Sequence, residues 1–148
     1  ETELILSLLS ILLWMTNMAA AMSRTGYATA YSSPGKMNKT GRNACGFNPK
    51  RLSKRWQKYF VAVNQKDWNS AGGKSGICGK CLKVKGISGQ TRGGHRIRTV
   101  YAKVVDMCPS KYCKKGHVDF STNALQDITG FSWDKKRVKW SLTKCPSK

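Results

Sequence analysis

Apolar and polar positions alternate with a period of two in several stretches of this chain. "CLKVKGI" sets Leu82 and Val84 against Lys83 and Lys85. "RTVYAKVVDM" puts Val100, Ala102 and Val104 on one face, and "RVKWSLTK" alternates Val138, Trp140 and Leu142 with Lys139, Ser141 and Thr143. Period two is what a strand with one buried face requires. Upstream, "GYATAY" (26–31) mixes aromatic and small residues, and "KYFVAVN" (58–64) is a compact apolar run of strand length. Only "STNALQDIT" (121–129) reads as a helix, with Ser121 or Thr122 to cap it and Gly130 to end it. Glycine-rich turns, "SAGGKSG" and "GISGQTRGGHR", punctuate the strands. Short strands, glycine turns and little helix predict a closed barrel, because closure removes exposed strand edges.

The first 22 residues break this pattern. "LILSLLSILLWM" is a continuous apolar run followed by "TNMAAAMS". An apolar stretch of about a dozen residues ending in small ones reads as a secretory signal with an Ala-x-Ala cleavage site, and it is too short to span a bilayer comfortably. Glu1 and Glu3 stand where a basic flank is usual, so the leader is read as cut short at its start. The expected division is a signal segment over 1–22 and one domain over 23–148, secreted, extracellular and monomeric, with no membrane span. "NKT" at Asn38 to Thr40 matches a glycosylation sequon.

Charge and cysteine content narrow the chemistry. Lys and Arg number 27 against seven acids, a net charge of +20. Such a surface repels cations and gathers polyanions. The basic clusters are "KRLSKRWQK" (50–58), "RGGHRIR" (92–98), "KYCKK" (111–115) and "DKKRVK" (134–139). They suit an acidic polysaccharide, with affinity falling as salt rises. Six cysteines fit an exported, disulfide-stapled chain, with 15 pairings open from the sequence alone. The "CGKC" spacing also suits zinc, with His95 and His117 available; but Cys108 and Cys113 bracket a loop of ordinary disulfide size, so no metal and no cofactor is expected.

The order of motifs is familiar. "ATAYSS", "ACGFN", "FVAVNQKDW", "CGKCLKV", "AKVVDMCP" and "HVDFSTNAL" follow one another over about residues 25 to 146. That succession resembles the double-psi β-barrel family, which includes expansins, loosenin-type single-domain proteins, barwin-like proteins, family 45 endoglucanases and rare lipoprotein A. The resemblance implies a mainly β, six-stranded double-psi barrel with one or two short helices and three disulfides. It implies the pairs Cys45–Cys78, Cys81–Cys145 and Cys108–Cys113. It places Thr29 and Tyr31 along a substrate groove, Asp106 at the end of a core strand, and Asp119 at the carboxyl position that acts as general acid in the endoglucanases and is needed for wall loosening in expansins. The motif here reads His117-Val118-Asp119, with Val where the family often has Phe.

A carboxyl group working as an acid near neutral pH needs burial or a second carboxylate nearby, and Asp106 and Asp119 supply such a pair if the barrel brings them together. Either aspartate also suits a plain turn or helix cap. Inverting hydrolysis needs a separate base; Asp67, Asp127 and Asp134 are the acids left after the leader, and none is an evident base. This favours binding over hydrolysis. Sugar rings stack on aromatic faces, for which Tyr27, Tyr31, Trp68, Tyr112 and Trp133 are candidates; Trp140, in an alternating strand, is read as core. Substrate contacts are thus expected at Thr29, Tyr31, Trp68, Tyr112 and His117. The expected function is binding and non-hydrolytic loosening of cell-wall polysaccharide. The alternatives are inhibition of papain-type cysteine proteases, as small barrels of this family do, and a lytic transglycosylase or endoglucanase-like activity. Nucleic acid is not the expected partner.

Overall fold

The computed structural model describes residues 22–32 and 43–147. Residues 1–21 of the expected leader and the Asn38 sequon lie outside them, whereas Met22 is described and its carbonyl accepts from the Leu142 N–H. Six strands form a closed barrel: β1 (Ser23–Ser32), β2 (Phe60–Asn64), β3 (Cys81–Gly86), β4 (Thr99–Cys108), β5 (Val118–Ser121) and β6 (Lys136–Thr143). Around the ring the order is β1-β5-β2-β4-β3-β6. β1 with β5 and β2 with β4 are parallel; the other four pairings are antiparallel.

The alternating segments became strands with one face inward. Leu82, Val84, Val104, Val118, Val138 and Trp140 fill the interior, while Lys83, Lys85 and Lys139 face out. β2 is buried at all five positions because both its faces are covered. Its inward residues Val61 and Val63 join the core, whereas Phe60 packs outward with Val105 under Tyr31, Phe47 and Leu52. A strand covered on both sides reads as an unbroken apolar run rather than an alternation. β5 is the strand that no alternation announced. Four residues carry too little pattern, and Asp119 interrupts its apolar run.

Four short helices accompany the barrel among the described residues: α1 (Lys54–Lys58), α2 (Gln65–Ser70), α3 (Gly73–Ile77) and α4 (Thr122–Thr129). That is more than the one or two expected. α4 is the helix read from the sequence, with Ser121 Oγ accepting from the Ala124 N–H and Gly130 in the left-handed region at φ 82°. The other three span five or six residues each, too short for a helical period to show.

The cysteines are joined as Cys45–Cys78, Cys81–Cys145 and Cys108–Cys113. "CGKC" is therefore split between two disulfides, and its thiols are not metal ligands. The first bridge ties the loop after β1 to the segment after α3, the second ties the start of β3 to the tail after β6, and the third closes the loop after β4.

Candidate functional site

The register carries four side chains into one row. Thr29 on β1 is opposite Asp119 on β5, Asp119 is opposite Ala62 on β2, and Ala62 is opposite Asp106 on β4. Residues directly opposite each other share a face, and here that face points away from the core. Asp106 reaches the row through a register shift between Val61 and Ala62. The two aspartates stand one strand to either side of Ala62, so their backbones are about 10 Å apart. Ala62 leaves the space between them shallow.

Each carboxyl group has its own environment. Asp119 is half-buried and accepts a 2.8 Å hydrogen bond from the Thr29 hydroxyl. Burial pushes its pKa above the ordinary carboxylate range, the Thr29 bond opposes that, and nearby Asp106 adds to it. Asp106 is buried, and its Oδ1 accepts from the Ala44 N–H at 2.8 Å and from the Met107 N–H at 2.9 Å. This carboxylate thus holds the Ala44–Cys45 loop against β4, a structural role open to it from the start.

Thr29 links Asp119 to His117. Its Oγ1 lies 2.7 Å from His117 Nε2. Because the hydroxyl proton goes to Asp119, the remaining bond is His117 Nε2–H donating to Thr29 Oγ1. Burial, and then Lys135, lower the pKa of His117, which keeps the ring neutral more readily. The His117 and Tyr27 rings meet in an edge arrangement, 6.4 Å between centroids and 64° between planes.

The turn carrying His117 is held from α2. Asn64 caps that helix, its Oδ1 accepting from the Asp67 N–H at 2.9 Å. The Asn64 backbone N–H and Nδ2 both donate to the His117 carbonyl, at 3.2 and 3.0 Å. Asp67, fully buried, accepts from the Gly116 N–H at 2.8 Å, Asn64 Nδ2 at 2.7 Å and Arg24 Nε at 3.0 Å. Gly116 in turn sits so close to β1 that a Cβ on Gly26 would lie 2.1 Å from its carbonyl oxygen. Asn64 and Asp67 were missed as site supports. Asn followed three residues later by Asp, a capping signature, was the signal available.

The other expected contacts separate. Tyr31 packs edge-on against Phe60 at 5.9 Å. Its buried hydroxyl has no hydrogen-bond partner among the described residues, and burial, Asp106 and Asp119 all raise its pKa. The Cys108–Cys113 bridge packs with Ala62 and Tyr31, so the small loop between the aspartates in the sequence also flanks them in space. Tyr112 on that loop is 69% exposed. Trp68 is a correction: only 7% exposed, it belongs to the core, because α2 turns it inward beside Asp67. Its ring offers no face to a sugar. Trp140 is core as read, its indole N–H donating to the Gly116 carbonyl at 2.9 Å. Trp56 is buried with the Arg55 guanidinium 4.5 Å above its ring.

Comparison with known proteins places this geometry. The model of the EXPB1-like domain 1 family matches residues 20–138. No curated protein matches the chain significantly by sequence. Among solved structures, the barrel is similar to a Clavibacter michiganensis expansin at 24% identity and TM-score 0.61, covering 86% of this chain and 53% of that one; the chain spans about half the length of that expansin. A mutant of the same protein was solved in complex with cellohexaose. The Streptomyces papain inhibitor matches at 22% identity and TM-score 0.54, over 83% of this chain and 96% of that one. The endoglucanase Cel45A of the blue mussel Mytilus edulis matches at 18% identity and TM-score 0.54, over 83% and 80%. At these identities the likeness is one of fold.

Proposed function

The chain belongs to the EXPB1-like domain 1 family, and from that premise we propose that it is a secreted, expansin-like protein that binds cell-wall polysaccharide and loosens it without net hydrolysis. The observation that carries this reading is the row Thr29–Asp119–Ala62–Asp106 on one outward face. A glycan laid across it meets a donor and an acceptor on either side of a small residue. Asp119 takes a proton more readily than an ordinary carboxyl group and donates it in a hydrogen bond to a glycan oxygen. Asp106, whose Oδ1 accepts from two backbone N–H groups, receives a sugar hydroxyl. Tyr31 and the Cys108–Cys113 loop with Tyr112 flank the chain. His117 fixes Thr29, and Thr29 fixes Asp119. The complex of the related expansin with cellohexaose supports a β-linked glucan as the first ligand to try.

The test is Asp119→Asn. Extension of a cell-wall strip under constant load is expected to fall to the no-protein baseline, with the melting temperature not lowered and binding to the polymer retained. Unchanged extension removes Asp119 from the mechanism. Soluble sugar ends released by the parent chain at high concentration assign it instead to lytic or endoglucanase-like chemistry.

One observation favours a second reading, inhibition of a papain-type cysteine protease. The Streptomyces papain inhibitor shares this barrel, at 22% identity and TM-score 0.54 over 83% of the chain. Sub-micromolar inhibition of papain that survives Asp119→Asn establishes it; no inhibition at tens of micromolar removes it.

A further inference from the structure

The opposite wall of the barrel, far from the two aspartates, carries a depression of about 400 Å³. Arg24, Lys83, Lys85, Thr99, Lys139 and Ser141 are among the residues that line it. Its floor is set by strand register. Across four strands runs the row Thr25–Lys139–Lys85–Thr99, and beside it the row Ser23–Ser141–Lys83–Tyr101. Lys85 and Lys139 are thus direct cross-strand neighbours, both exposed. Like charges placed so are destabilising. No acid is among the residues that line the depression; the buried Asp67 is paired with Arg24, one of the lining residues. Three lysine ammonium groups are therefore concentrated in one hollow, ringed by hydroxyls.

We propose that this wall is a second binding site, for a carboxylated polysaccharide, built from Lys83, Lys85 and Lys139. Ammonium groups neutralise successive carboxylates, and the hydroxyls of Thr25, Thr99 and Ser141 donate to their oxygens. Bound carboxylates offset the repulsion between Lys85 and Lys139. Single-stranded nucleic acid is the poorer occupant, since it needs aromatic faces for successive bases, whereas Tyr101 is half-buried and Trp140 belongs to the core. Duplex reading needs a helix or ribbon that enters a groove, and this wall recedes. The site is independent of the carboxylate face, so the protein can hold an acidic polymer on one side and a neutral one on the other.

The experiment uses the full chain and polygalacturonate, with a cellulose pull-down alongside. Lys83→Gln, Lys85→Gln and Lys139→Gln together are compared with Lys50→Gln, Lys54→Gln and Lys58→Gln, which remove the same charge from another surface. The first set is expected to weaken polygalacturonate binding about tenfold or more and to reduce the slope of log K against log salt by about 2. The second set weakens it less than threefold. Cellulose binding stays unchanged in both. Lys85→Glu, which gives Lys139 an opposite charge across the strand pair, is a second route that keeps the fold and moves affinity the same way. Equal weakening by both triple sets overturns the proposal, since net charge alone then explains capture. So does unaltered binding in the first set, or a larger loss for single-stranded DNA than for polygalacturonate.

Discussion

Replacing Asp67 with alanine tests how the site is held. The carboxylate is fully buried and accepts three hydrogen bonds, from Arg24, Asn64 and Gly116. Breaking a buried ion pair from one side costs about 3–5 kcal/mol when the other charge is stranded. Arg24 is not stranded, since 28% of its side chain is exposed and water can solvate it. The larger loss comes from the Gly116 N–H and one Asn64 Nδ2 hydrogen, each left unpaired at about 1–3 kcal/mol. The net expectation is about 3 kcal/mol, discounted because neighbouring losses do not add. For a domain of this size that lowers the melting temperature by roughly 10 °C. Urea unfolding followed by tryptophan fluorescence measures it, with Trp68 and Trp140 as buried reporters. Arg24→Met alone is expected to cost less than half as much, because the Gly116 and Asn64 bonds survive. A loss under about 1 kcal/mol for Asp67→Ala, or a larger one for Arg24→Met, refutes the reasoning.

Three further outcomes follow from the same geometry. The pKa of Asp119 is raised on folding, so its contribution to stability is fully present below the ordinary carboxylate value and is lost as pH rises through the raised one. Asp119→Asn is therefore expected to raise the melting temperature at pH 7, with the gain vanishing below about pH 4; a gain that persists in acid refutes burial as the cause. In ¹⁵N spectra at neutral pH, His117 should show the Nε2–H tautomer and switch toward a mixture in Thr29→Val; a wild-type Nδ1–H ring contradicts the assigned bond direction. Opening Cys81–Cys145, which spans 64 residues, should cost about 4 kcal/mol, and opening Cys108–Cys113, which spans five, about 2 kcal/mol, by loop-closure entropy. A reversed order in paired Cys→Ser variants counts against that account.

Legibility from the sequence differed by element. β3, β4 and β6 could be read directly, because one wet face and one dry face impose alternation. β2 could be read as a strand but not as one covered twice, since nothing local tells Phe60 that Phe47 and Leu52 will lie over it. β5 could not be read, and with it went the knowledge that Asp119 sits in a strand rather than before a helix. Trp68 misled because an aromatic residue after a strand looks the same whether its helix turns it inward or outward. Pairing of the cysteines came only through resemblance. The pairing of Lys85 with Lys139 and the row joining Asp119 to Asp106 depend on register, which short-range pattern does not encode.

β5 is only four residues long, yet it is hydrogen-bonded along both edges, to β1 and to β2. Its backbone has no freedom to drift sideways, and the acid it carries inherits that immobility. The loops around it can be rewritten or lengthened while the Asp119 carboxyl group keeps its place between Thr29 and Ala62.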